Sequence, residues 1–308
     1  MISHRAQRAG AAGLGLCVDR LVGEPRRFHP VAGFGTAMGH VEDTLWRDRR
    51  EAGVAYTATG VALGAAAGWS IRSTTASVAV CAAGRELRSV ARAIGHRCDA
   101  DDLDGARALL PSLVGRDPSD LDHAGIAAAV IESLAENMVD AVVAPALWGA
   151  ALGAVGAGAY RSVNTMDAMV GHRSERYERF GWSAARLDDL ANLVPARAFG
   201  ALVVAAAPSR ARAIGHAVRT QAPAHPSPNA GVAEASVAAA LGVELGGPLR
   251  YGDRHEDRPT LGTGPRPSAG DIGRAVRLVD RVEQLLVLAL VAPAAAGLVR
   301  RRIRGGRS

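Results

Sequence analysis

Not one lysine occurs in the 308 residues; all 36 side chains counted as lysine or arginine are arginine. That absence excludes whole chemistries. A pyridoxal Schiff base needs a lysine amine, and the usual glycine-rich phosphate loop needs one too. Arginine stays charged and grips phosphate or carboxylate through two parallel hydrogen bonds. A GC-rich genome accounts for the replacement itself, but the exclusions hold either way. Cysteine is scarce as well. Cys17, Cys81 and Cys98 lie far apart with no CxxC pair, so neither a disulfide framework nor a zinc knuckle is indicated, and a reducing compartment is the default. His96 and Cys98 stand two apart, too little for a metal site. Aromatic residues make up only 4%, and no strand-like alternation persists.

What is present is alanine, arginine and apolar runs. Hydrophobic residues reach 48%, mean hydropathy is +0.07, and the net charge of +6 gives a pI near 10.0. The arginines are scattered and no aromatic platform interleaves them. No helix-turn-helix or zinc-finger spacing occurs, so nucleic acid is not an expected partner. Basic loops flanking apolar helices suit an anionic lipid surface instead.

The runs themselves define the organisation. Residues 54–71 are 18 without a charge, 141–160 are a second uncharged run of 20, and 285–299 add 15 apolar positions before a basic tail. These are the candidate membrane spans. Shorter apolar runs occupy 9–18, 76–84 and 198–207. Residues 85–125 are charged and broken by Pro111 and Pro118, with Ser119 or Asp120 placed to cap the next helix. Residues 221–271 are rich in Pro, Gly and Asp and read mostly as loop, with one short helix near 233–241. The expected fold is all-α: a single polytopic membrane domain over 1–308, with polar helical and loop segments between the spans, in the cell membrane.

Polar residues gather at the ends of these runs. In IESLAENMVD, Glu132, Glu136 and Asp140 are spaced four apart, so each is displaced by only about 40° on a helix and all share one face. Three like charges repel unless a cation, such as a magnesium ion or an amine, sits among them. Asn137 lies beside them. In YRSVNTMDAMVGHRSERYERFG, Asn164 and Asp167 share a face, with Arg161, Arg173, Arg176 and Arg179 around them and His172, Glu175 and Tyr177 as hydrogen-bonding groups. In ARLDDLANLVPAR, Asp188 and Asn192 share a face. Paired carboxylates with arginines suit a site for magnesium and phosphate; the alternative is a network of structural salt bridges. HPSPNAG presents His225, Ser227 and Asn229 from a proline-fixed loop before a helix N-terminus. GEPRRFHP offers Glu24, Arg26 and His29 in a similar loop.

Taken in order, GEPRRFHPV, ESLAENMVDAVVAPALWG, YRSVNTMDAMVGHRSERYERFG, ARLDDLANLVPAR, HPSPNAG and LGGPLRYG resemble the adenosylcobinamide-phosphate synthase family, CobD/CbiB, over nearly the whole chain. The resemblance implies a multi-pass membrane enzyme of cobalamin biosynthesis. It implies an ATP- and Mg2+-dependent ligase that joins aminopropanol, or its phosphate, to a propionate carboxylate of adenosylcobyric acid, giving adenosylcobinamide or its phosphate. Ethanolamine phosphate is a related amine donor, and the corrinoid is a substrate. Other cobalamin-assembly enzymes are implied as partners. On this reading Glu132, Glu136, Asp140 and Asp167 hold Mg2+ or the incoming ammonium. Arg173 and Arg176 bind phosphate, and His225 or Asp188 takes the amine proton. Asn137, Asn164, Ser227 and Asn229 would contact substrate. The alternatives are a non-catalytic membrane sensor or scaffold related to the family, and a transporter. A transporter would carry its polar residues mid-span in broken helices, and here they cluster at span ends.

Overall fold

A computed structural model describes residues 3–23, 29–115, 117–172, 174–251 and 254–305. Helix dominates these residues: α1 (His4–Val22), α2 (Pro30–Leu45), α3 (Arg50–Ile71), α4 (Thr74–Cys81), α5 (Gly84–Asp99), α6 (Leu103–Leu109), α7 (His123–Met138), α8 (Ala144–Leu152), α9 (Ala154–Met166), α10 (Trp182–Ala206), α11 (Ala211–Thr220), α12 (Ala230–Leu241) and α13 (Ala269–Gly305). The all-α expectation holds, apart from one antiparallel hairpin of β1 (Leu245–Tyr251) and β2 (Arg254–Leu261) inside the stretch expected as loop. The early loop residues Glu24 and Arg26 lie outside the described residues.

The chain divides into two compact units. The first comprises Met1–Gly84, Asp140–Asn192 and Leu286–Ser308. Its helices meet through small residues. Gly60, Gly64 and Gly68 recur every fourth position on α3, so they form one stripe, and that stripe faces α9. A methyl group on Gly64 would collide with the Ser162 side chain and the Gly158 carbonyl, so the two backbones touch only because no side chain intervenes. A buried cluster of Met38, Tyr56, Met166, Val170, Phe180 and Ala184 closes one end, with the Tyr56 and Phe180 rings 5.1 Å apart.

The apolar runs fold differently from the spans expected of them. Residues 141–160 do not form one helix. They are divided into a π-helical turn (Val139–Val143), α8 and α9, with the break at Gly153, whose φ of 73° is one that side-chain-bearing residues rarely adopt. Nine-residue α8 is only about 13 Å long, well short of a hydrocarbon core. Residues 285–299 belong to the 37-residue α13. Among the described residues, two helices are long and apolar enough to cross a membrane: α3, which contains 54–71, and α10, of which the short run 198–207 is only the end. Asp188, Asp189 and Arg197 interrupt the uncharged pattern of α10, yet the helix continues through them and through Pro195. Of the two apolar windows, 28% and 33% are buried inside the protein.

The second unit comprises Arg85–Val139 and Leu193–Leu285. Helix α12 is its buried centre, with nearly every residue from Ala230 to Leu241 enclosed, and it packs on α7 and the hairpin. Asp122, not Ser119 or Asp120, caps α7, because its carboxylate accepts the Gly125 N–H at 2.7 Å. Arg88 is buried against Glu283, with Asp280 at 3.6 Å. Burial pushes the Cys98 thiol up from its ordinary value, which keeps it protonated and inert.

Candidate active site

Among the described residues, two helical turns are widened into π geometry, Val139–Val143 and Asp167–Gly171, and each begins at or beside a carboxylate, Asp140 and Asp167. Such turns are often found where a side chain is displayed for function. Asp140 is met there by residues of two helices. Tyr160 and Asn164 lie one turn apart on α9, and Asp188 and Asn192 lie one turn apart on α10, so each pair shares a face.

The result is two carboxylates bridged by two amides. Asn164 Nδ2 donates to Asp140 Oδ2 at 3.1 Å and to Asp188 Oδ1 at 3.3 Å. Asn192 Nδ2 donates to Asp140 Oδ1 and to Asp188 Oδ2, both at 3.0 Å. The Tyr160 hydroxyl donates to Asn192 Oδ1 at 2.8 Å and lies 3.5 Å from Asp140 Oδ1, which fixes the amide orientation. Arg161 Nη1 donates to Asn164 Oδ1 at 3.3 Å. Asn192 and Tyr160 are buried, whereas Asp140, Asn164 and Asp188 are half-buried. Trp148 Nε1, from α8, donates to the Ala191 carbonyl at 3.1 Å and holds α10 in register.

The other residues expected from the sequence are placed elsewhere or differently. Asp167 leans over Gly171, where a side chain would collide with its carboxylate. Arg176 pairs with Glu42 Oε1 at 3.0 Å and lies over the Trp46 ring at 4.7 Å. The Tyr177 hydroxyl donates to the same Glu42 oxygen at 2.9 Å. Burial, then that bond, push the Tyr177 phenol above its ordinary value, and the bond to Glu42 raises Arg176. The guanidinium expected to bind phosphate is therefore engaged by a carboxylate 134 positions away. Arg173 lies outside the described residues.

In the second unit, Glu132 is buried and accepts the Gly246 N–H at 2.8 Å, Glu136 is exposed, and Asn137 donates back to Ser133 O at 2.8 Å. Among the described residues, no three acidic, histidine or cysteine side chains are gathered to hold a metal, so the Glu132, Glu136 and Asp140 set is not assembled as one. The HPSPN loop is organised around its own backbone. His225 Nδ1 accepts the Ser227 N–H at 3.1 Å, and its Nε2 faces Glu234 at 3.7 Å. Ser227 Oγ accepts the Ala230 N–H at 3.1 Å at the start of α12, and Asn229 Oδ1 accepts from Arg197 at 2.8 Å. Tyr160 and Glu42 were not expected from sequence. Tyr160 carried one usable signal, its position one turn before Asn164, while Glu42 carried none.

Comparison with known proteins agrees with the sequence blocks. A family model described as CobD/Cbib protein matches residues 12–279. A Mycobacterium tuberculosis protein named Cobalamin biosynthesis protein CobD is 45% identical over 291 residues, covering 90% of this chain and 92% of that one. Proteins of the same name from Rhodobacter capsulatus and Chromobacterium violaceum are 47% identical over 211 residues (68% of this chain, 67% of that one) and 41% identical over 292 residues (87% and 91%). No solved structure matches significantly.

Proposed function

The chain belongs to the CobD/CbiB family of cobalamin biosynthesis proteins, and from that premise we propose that it is an ATP-dependent ligase. It joins aminopropanol, or aminopropanol phosphate, to a propionate carboxylate of adenosylcobyric acid. The observation that carries the proposal is the hydrogen-bonded set of Asp140, Asn164, Asp188 and Asn192, drawn from three segments of one unit. The helices α3 and α10 would seat the protein in the cell membrane.

Amide formation needs the carboxylate activated by phosphoryl transfer from ATP. The amine nitrogen then attacks the acyl carbon, loses a proton and expels phosphate. The protein's part is to position these groups and balance their charge. Magnesium, when bound, would neutralise phosphate charge in that step. Its donor requirement fits the cluster, because Mg2+ takes one or two carboxylates and completes its shell with water and phosphate oxygens, and Asp140 supplies carboxylate oxygens there. Asn164 and Asn192 hold both carboxylates at one separation. Asp188, half-buried and held by neutral donors, takes the proton of the attacking amine, and Asp167 orients the ammonium before it is deprotonated. His225 organises the HPSPN loop, where its Nδ1 accepts the Ser227 N–H.

The test is direct. Purified full-length protein is incubated with adenosylcobyric acid, Mg2+, ATP and either amine, and mass spectrometry reads the amide. In parallel, a strain lacking the gene should grow when fed cobinamide and fail when fed cobyric acid. Absence of product with both amines, or growth of that strain on cobyric acid alone, overturns the proposal.

A further inference from the structure

A cavity of about 420 Å3 lies within the second unit, beginning at the last residue of α10, Ala206. One wall is apolar, with Pro208, Leu241 and Leu278. The remainder carries four arginines, Arg210, Arg274, Arg277 and Arg281, and no acidic side chain lines it. Arg274, Arg277 and Arg281 follow one another at spacings of three and four on α13, so they share a face, where like charges repel.

Two of the four are fixed in place. Arg210 Nε donates to the Ala239 carbonyl at 3.1 Å, and its guanidinium lies against Gly242, where φ is 71° and a side chain would obstruct it. Arg274 donates to the Leu241 carbonyl at 2.6 Å and to Asp271 at 2.5 Å. Both therefore cap the carbonyl end of α12, where positive charge is favourable. Arg277 and Arg281 are exposed and have neither an acidic partner nor a hydrogen bond from their side chains among the described residues. Four guanidinia converging on a cavity, two of them anchored and two with unused donors, form an oxyanion receptor.

We infer that this cavity binds a phosphate group. The group belongs either to a soluble phosphate ester or to an anionic lipid headgroup, and the second source is brought near because α10 is one of the two helices able to cross a membrane and ends at the cavity. The inference does not depend on the ligase reading, since none of the four arginines takes part in it.

The experiment uses full-length protein in neutral detergent. Isothermal titration with inorganic pyrophosphate reads the soluble source, and short-chain phosphatidylglycerol against phosphatidylcholine reads the headgroup. At least one of the two anionic probes binds. The double variant Arg277→Gln/Arg281→Gln weakens that binding by at least about tenfold, since each side chain removed supplied charge-assisted hydrogen bonds. Its melting temperature is unchanged, because neither side chain has a partner to lose. Arg212→Gln, an exposed arginine outside the cavity, leaves binding intact. Pyrophosphate binding lost in the double variant assigns a soluble ligand; phosphatidylglycerol binding without pyrophosphate binding assigns a lipid. Failure of both anions to bind, or a double variant that binds as wild type does, or an equal loss in Arg212→Gln, overturns the inference.

Discussion

Two sets of carboxylates, one in each unit, are held in different ways. In the first, Asp140 and Asp188 accept hydrogen bonds from the side-chain amides of Asn164 and Asn192, with the Tyr160 phenol beside them. In the second, Glu283 is met by the Arg88 guanidinium, Glu132 by a backbone N–H and Glu234 by His225. Neutral donors orient a carboxylate without cancelling its charge, whereas a guanidinium orients it and neutralises it. Burial follows the same division. Glu234 and Glu283 are each 1% exposed and Glu132 is 6% exposed, while Asp140 and Asp188 are half-buried and can be reached. The first set is half-buried and open to approach; the second is enclosed and ties elements of its unit together.

That contrast can be broken at either end. The largest effect is expected from Arg88→Ala, which strands the buried Glu283 carboxylate and should lower unfolding free energy by about 3–5 kcal/mol in a denaturant titration. Turnover per folded molecule should persist, and a stable variant would mean that the pair is not structural. Asp188→Asn keeps the shape of the cluster and removes charge. Turnover in the assay of the proposed reaction should fall on the order of 10²-fold with little change in melting temperature. Loss of fold in place of loss of rate would move Asp188 to the structural side of the comparison. Smaller still is Ser227→Ala, which removes the acceptor for two N–H groups at the start of α12 and should cost about 1 kcal/mol, read as a lower melting temperature at unchanged turnover.

The smallest effect is a pH dependence. The Gly105 backbone N–H, then Arg97, hold the Asp102 carboxyl below its ordinary value. A depressed carboxylate stabilises the folded chain above its unfolded pKa, and that stabilisation disappears as pH falls through the folded pKa. Melting temperature should therefore decline on acidification through the carboxylate range, and by less in Asp102→Asn, if the cap at α6 contributes as the geometry indicates.

Much of the fold was legible because helical periodicity and turn chemistry act locally. The 54–71 run became the core of α3, and the pairing of Asp188 with Asn192 followed from their spacing alone. The failures have physical causes. Residues 141–160 looked like one span because composition does not reveal that Gly153 would adopt a positive φ and divide it. Helix α10 looked short because its charges interrupt the hydropathy pattern but not the backbone hydrogen bonds. The bond from Gly246 to Glu132, 114 positions away, leaves no trace in the neighbouring residues. The pairing of Arg176 with Glu42 leaves none for the same reason.

By itself the sequence determined the family, the helical class, the exclusion of lysine chemistry, and which side chains share a helical face. Those properties depend on residue type and on a repeat of about 3.6 residues per turn, and both are local. Only the tertiary structure decided that Asp140 stands with Asp188 rather than within a metal-holding trio on its own helix, and that Arg176 belongs to Glu42. Periodicity sets the face a side chain occupies, but the partner opposite that face is chosen by how closely two backbones can approach. Along α3 and α9 that approach is set by Gly60, Gly64 and Gly68, far in sequence from the carboxylates whose meeting depends on the packing around them.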